Sequence, residues 1–273
     1  MNIPGIIEEI EKADQEFCDR TDTRRKVIKN FIGIGSKIAL SAVPLALGGL
    51  FTKAYGRVPD KVLDVLNFAL TLEHLESRFY QTAMATQGLI PEKDKLGFIR
   101  DHEIAHVKFL QEVITKSGGL PVAEGKYDFT AKNTYPNVFS DYKTFLIVAQ
   151  GFEDTGVAAY KGQATKLKTS YAGSDLILTN ALQIHSTEAR HAAHIRFVRL
   201  VSGFATIKPW IIGTDNTKGQ PNEAIYKHEG DHRHFFMNVS NTGKYPSGNA
   251  GTASFDQPLR KEEVLNIVAP FMA

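Results

Sequence analysis

An all-α four-helix bundle with one long crossover connection is the architecture this sequence predicts. Three observations lead there. Four long segments repeat their apolar residues with the period of an α-helix. The links between them run short, long, short, which is the connectivity of a bundle with a single crossover. Each segment also places at least one carboxylate on its otherwise apolar face.

Bulk properties agree with a globular chain and exclude several functions. Of 273 residues, 42% are hydrophobic and 23% are charged, an ordinary globular profile. A formal net charge of +2 leaves no basic surface for nucleic acid and no acidic tail for a basic partner. No glycine-rich phosphate loop precedes a helix. With Cys18 as the single cysteine, neither an internal disulfide nor a cysteine-based zinc or iron–sulfur site can form. Any metal must be held by carboxylate and imidazole.

Residues 1–56 read as a leader. Thr23-Arg24-Arg25-Lys26 precedes an apolar stretch from Phe31 to Phe51, and Ala54-Tyr55-Gly56 supplies small residues at a cleavage site. The pattern resembles a twin-arginine export signal cut after Gly56, which implies a periplasmic or exported protein. Two alternatives stay open: a membrane anchor formed by residues 31–51, or an N-terminal helix packed on the domain. Lys37, Pro44 and the glycines weaken the anchor, since a mid-span lysine costs about 2.5–3.5 kcal/mol on insertion scales. Membrane contact is expected only through this leader, if it is not cut.

The bundle is assigned to residues 57–202. A first helix, about 60–87, aligns Leu66, Ala69, Leu70, Glu73, Ser77 and Tyr80 on one face, and Gly88 and Pro91 end it. A second, about 91–117, aligns Leu96, Ile99, Glu103, His106, Leu110 and Ile114. Pro91 followed by Glu92 and Asp94 suits a helix start at Pro91. Residues 120–140 break the pattern and form the crossover, longer than a helical hairpin needs. The third helix, about 141–170, aligns Leu146, Ala149, Glu153, Val157, Tyr160 and Ala164. The fourth, about 174–202, aligns Ala181, Ile184, Glu188, His191 and Ile195, with Ser174 as its cap. Residues 203–273 form an irregular C-terminal extension with a short helix near 258–268. It is expected to pack on the bundle, because Trp210, Phe235, Phe236 and Phe255 need cover. No β domain is evident.

Chemistry concentrates on the inward faces. An isolated carboxylate is very costly to bury, and four facing one core repel one another unless cations or protons neutralise them. The second and fourth helices add a histidine three residues after the glutamate, at Glu103–His106 and Glu188–His191, which stacks both side chains on one face. Four carboxylates and two imidazoles can ligate two divalent ions. Iron and manganese both accept this ligand set, and the sequence does not choose between them. Tyr80 and Tyr160 each follow a glutamate, Glu73 or Glu153, by seven residues. They donate hydrogen bonds to ligands, serve as a local electron source, or simply fill the core. His74, His102, His185 and His194 read as residues at the boundary of the site or as supports that hydrogen-bond its ligands. The segment from His228 to His234 could bind a surface metal but reads better as a solvated loop, and Asn238-Val239-Ser240 matches a glycosylation sequon that carries no weight in an exported bacterial chain.

The order Glu…Glu-x-x-His…Glu…Glu-x-x-His, with separations of 30, 47 and 35 residues between Glu73, Glu103, His106, Glu153 and Glu188, resembles the ferritin-like di-metal carboxylate superfamily. The similarity covers about 60–202. It implies that Glu103 and Glu188 bridge two metal ions, that Glu73 and His106 serve one ion, and that Glu153 and His191 serve the other. It implies an oxidoreductase-type protein, acting on ferrous iron as a ferroxidase or consuming peroxide, with oxygen or peroxide as the small-molecule partner. Within the superfamily the chain looks most like exported ferritin-like proteins related to plant desiccation proteins. That likeness also admits a structural or stress-protective role at the envelope, with metals that only stabilise the bundle. A homo-oligomer stays open, while a storage cage is disfavoured by the long tail.

Overall fold

The computed structural model describes residues 58–171, 173–213, 223–231, 233–234, 237–238 and 251–273. The leader assigned to 1–56, its anchor alternative at 31–51, Phe235, Phe236 and most of the sequon lie outside these residues. No helix among the described residues is long and apolar enough to cross a membrane.

Four long helices form the body: α1 (Asp60–Ala85), α2 (Gly97–Lys116), α3 (Tyr142–Leu167) and α4 (Ser174–Val201). α1 packs chiefly on α2 and α3 chiefly on α4, and the two pairs meet through α1 and α3. The architecture is the all-helical, single-crossover bundle expected. Its boundaries differ in places, each for a local reason. α2 begins at Gly97 and not at Pro91, because Lys95 adopts left-handed backbone (φ 50°) and cuts a 3-10 turn, Glu92–Asp94, off from the helix. Ser174 is not the cap of α4. Gly173 holds that position, and the Ser174 hydroxyl donates instead to the carbonyl of Thr169 at 2.9 Å. Asp141 does cap α3, accepting from the Thr144 N–H at 2.9 Å, the side-chain substitution for a missing helical partner that favours Asp there.

The crossover is tied along one face of α1. Asn67 holds it at both amide atoms, donating to the Leu120 carbonyl (3.2 Å) and accepting from the Val122 N–H (2.7 Å). Two turns on, His74 meets the Val122 carbonyl, and Arg78 makes a two-pronged bond to Glu124. The contacts of Asn67 and His74 satisfy backbone groups of an aperiodic segment that would otherwise lie unpaired against the bundle, and the Arg78–Glu124 pair adds an exposed side-chain tie.

The apolar core falls into two clusters. One contains Phe79, Leu96, Ile99, Phe145, Phe152 and Ile195; the other contains Val62, Leu66, Leu110, Ile114, Ile177 and Ile184. On α2 and α4 the inward glutamates sit between the residues of the two clusters. A polar layer therefore crosses the middle of the bundle.

The tail packs on α3. The N–H of Leu259 donates to the Ala158 carbonyl at 3.1 Å, made possible by Gly162, where a Cβ would lie 1.9 Å from the Leu259 oxygen. A short helix, α5 (Lys261–Val268), follows, and the chain end pairs with the crossover through Tyr127 and Met272. Two two-residue strands, β1 (Arg233–His234) and β2 (Met237–Asn238), form a small antiparallel ladder. Trp210 and Phe255 are exposed, at 52% and 39%, so the tail does not cover them as expected. Its anchors are Tyr226, Leu259 and Phe271, all buried.

Candidate metal centre

All six residues singled out in the sequence converge in the polar layer. Glu73, Glu103, Glu153 and Glu188 are each 0% exposed. Their ligand atoms, with those of His106 and His191, form two groups. Glu73, Glu103, His106 and Glu188 make one; Glu103, Glu153, Glu188 and His191 make the other. Within each group the atoms lie within 4.8 Å of one another. Glu103 and Glu188 belong to both. Each histidine turns Nδ1 inward: that of His106 lies 3.1 Å from Glu73 and 3.3 Å from Glu188, and that of His191 lies 2.9 Å from Glu103 and 3.3 Å from Glu153.

The two tyrosines lock the halves together by a reciprocal exchange. Tyr80 on α1 donates to Glu153 on α3 at 2.5 Å, and Tyr160 on α3 donates to Glu73 on α1. That pattern requires α1 and α3 to run antiparallel. Both hydroxyls thus hydrogen-bond buried carboxylates of the cluster.

Electrostatics show a cluster short of positive charge. Burial pushes the Glu73 carboxyl up to about 7, partly offset by His106. Glu188 rises well above the carboxylate range through burial and then through Glu103 and Glu73. Glu103 goes the other way: burial raises it, but His106 and His191 outweigh that and hold it well below the usual range. Burial lowers His191, yet Glu153 and Glu103 carry it to about 11. Both oxygens of Glu103 and of Glu188, one of Glu153, and Nδ1 of His191 make no well-formed hydrogen bond. Buried polar atoms are rarely left so. Oxygen and imidazole donors converging without partners suit a cation, and these groups are able to hold a metal ion.

Of the neighbouring histidines, His102 reaches the centre. Its Nδ1 lies 2.9 Å from Nε2 of His191, with the rings stacked 5.2 Å apart. This contact fixes the outer nitrogen of an inward-facing imidazole. His74 and His194 bond to backbone carbonyls, Val122 and Asp94, away from it. His185 joins neither group. The His228–His234 segment is not wholly solvated, a correction to the sequence reading: Glu229 is 2% exposed and accepts from the Gln257 N–H at 2.7 Å. Burial pushes its carboxyl up to about 8.

Two features escaped the sequence reading. Glu76 is a fifth carboxylate beside the centre, 3% exposed. It is pushed well above the usual range by burial and then by Glu188 and Glu103. Its signal was present: it follows Glu73 by the same three residues that separate Glu103 from His106. The second is a buried network joining bundle and tail. Arg196 clamps Asp154 through two nitrogens (3.1 and 2.6 Å), Tyr226 donates to Asp154 at 2.6 Å, and Arg199 donates to Gln150. Its partner Tyr226 comes from the aperiodic tail, so helical periodicity gave no hint of it.

The bundle and its carboxylate–imidazole layer define the class, a helical protein with a buried site able to bind metal. The family model for the ferritin-like domain matches residues 61–200, and the chain belongs to that family. No curated protein matches the chain.

Proposed function

We propose that the chain is a di-metal protein of the ferritin-like family, binding two iron or manganese ions and redox-active toward ferrous iron, oxygen or peroxide. One observation carries this reading: four fully buried glutamates and two histidines whose inward-facing atoms are largely unpartnered. Burying such charges without a counter-ion is prohibitive, and two divalent ions balance four carboxylates. Glu103 and Glu188, common to both groups, would bridge the ions. Glu73 with His106 would complete one site, and Glu153 with His191 the other. When bound, such ions supply one-electron chemistry toward oxygen or peroxide. The protein's own part is to hold the carboxylates through Tyr80 and Tyr160, fix His191 through His102, and keep bulk water out between two apolar clusters.

The test uses the purified full chain without a metal-binding tag. Elemental analysis is expected to give about two ions per chain, falling in Glu103→Ala, as two four-residue groups imply. Oxygen or peroxide added to the reduced protein should then change its absorbance. Fewer than one ion per chain, unaffected by Glu103→Ala, overturns the reading. Two ions with no response to either oxidant would move the function to metal-stapled structural protection.

A further inference from the structure

The C-terminal tail meets α3 in two passes, and one buried carboxyl joins them. Residues 223–231 make the first pass, where Tyr226 donates to Asp154 on α3 at 2.6 Å. Residues 251–259 make the second, where the N–H of Leu259 donates to the Ala158 carbonyl at 3.1 Å. Two bonds tie the passes to each other. The N–H of Gln257 donates to Oε1 of Glu229 at 2.7 Å, and its side-chain amide donates to the Asp231 carbonyl at 3.0 Å.

The surroundings of Glu229 do not suit a carboxylate. Its side chain is buried and Oε2 has no hydrogen-bond partner, whereas an ionised carboxylate has several acceptor sites to fill. The cations nearby are engaged elsewhere. Lys161 on α3 donates to the backbone carbonyl of Asp256, and Arg196 on α4 clamps Asp154. His185 on α4 lies toward Lys161 and Asp256, and burial favours its neutral form. Two acids, Asp256 in the second pass and Asp154 on α3, repel a negative charge at Glu229. Burial pushes the Glu229 carboxyl up to about 8; the Gln257 N–H offsets part of that, Asp256 and Asp154 add to it, and Lys161 has the smallest influence.

We propose that Glu229 is a proton-operated latch between the two passes of the tail: protonated, it holds them together over α3; ionised, it releases them. Ionisation leaves a charge that only water can satisfy, so the carboxylate gains by leaving its site. The sense follows from linkage. The carboxyl holds its proton more tightly in the closed tail than in the open one, so its contribution is complete below its ordinary value of 4.5 and is lost as pH rises through about 8. The latch does not depend on the di-metal reading.

Hydrogen–deuterium exchange on the full chain tests it, followed by mass spectrometry of peptides from 223–231 and 251–259, with α1 peptides as the reference for the bundle. After correction for the intrinsic rate, protection of the tail peptides is expected to fall roughly tenfold per pH unit between about pH 5 and 7.5, and to level off above about 8. In Glu229→Gln, neutral at every pH, protection should stay flat relative to α1. Should that variant pack poorly, Asp256→Asn removes a repelling charge and leaves the backbone carbonyl that Lys161 bonds. It should move the levelling-off to lower pH. Tail protection in the parent that does not change with pH overturns the inference. So does a fall of equal slope in Glu229→Gln, or an unmoved levelling-off in Asp256→Asn.

Discussion

At the scale of single residues, the convergence of the six candidate residues was legible because helical geometry converts spacing into a shared face. Glu103–His106 and Glu188–His191 needed only the 3.6-residue period to be placed together. What the period could not give was the partner of each tyrosine. Tyr80 follows Glu73 by two turns, yet its hydroxyl goes to Glu153 on the opposite helix, and Tyr160 returns the exchange. Each therefore supports the carboxylate of the other half. Tyr160→Phe strips the fully buried Glu73 of its hydroxyl donor, and loss of such supporting bonds costs about 10–100-fold in metal affinity. Competition against a chelator is expected to show that loss for Tyr160→Phe and for Tyr80→Phe alike. An affinity unchanged in both would mean that the hydroxyls only fill space.

At the scale of elements, helix existence was readable and helix ends were less so. The apolar period marked all four helices, but it says nothing about backbone conformation at Lys95, and a single left-handed residue there delays α2 to Gly97. Ser174 carried the composition of a cap, yet Gly173 took the position, leaving the Ser174 hydroxyl for Thr169. The packing of α3 against the tail depends on a residue whose value is invisible in sequence. Gly162 admits the Leu259 carbonyl to within 1.9 Å of where a Cβ would stand, a contact that no side chain can share. Gly162→Ala should push the tail off α3 and lower stability by about 1–3 kcal/mol, the usual cost of overpacking. Thermal melting would register it, with faster proteolysis beyond Gly203 showing that the tail is what loosens. An unchanged melt would mean that this crossing point carries no weight.

At the scale of the whole molecule, stability and metal binding are linked through protons. Glu73, raised from 4.5 to about 7, and His191, raised from 6.5 to about 11, both hold protons more tightly in the folded metal-free chain than in the unfolded one. A raised pKa contributes stability that is complete below the unfolded value and lost as pH climbs through the folded value. The metal-free protein should therefore weaken first between pH 4.5 and about 7 through Glu73, then between 6.5 and about 11 through His191. Glu103, held low, works in the opposite sense and only in acid. Metal displaces the protons, so melting temperatures of the loaded and metal-free forms should diverge as pH rises. Curves that stay parallel would refute the linkage. The tail was the least legible part at this scale, since isolated anchors such as Tyr226 and Leu259 fix it and no repeating pattern does. Those anchors carry a further meaning. Tyr226 grips Asp154, the immediate neighbour of Glu153 on α3. A metal ion that ordered Glu153 would also order the residue that Tyr226 clasps, and thermodynamic reciprocity would make the traffic run both ways. The anchor at Tyr226 would thus give a remote handle on the candidate centre, one that touches none of its six residues.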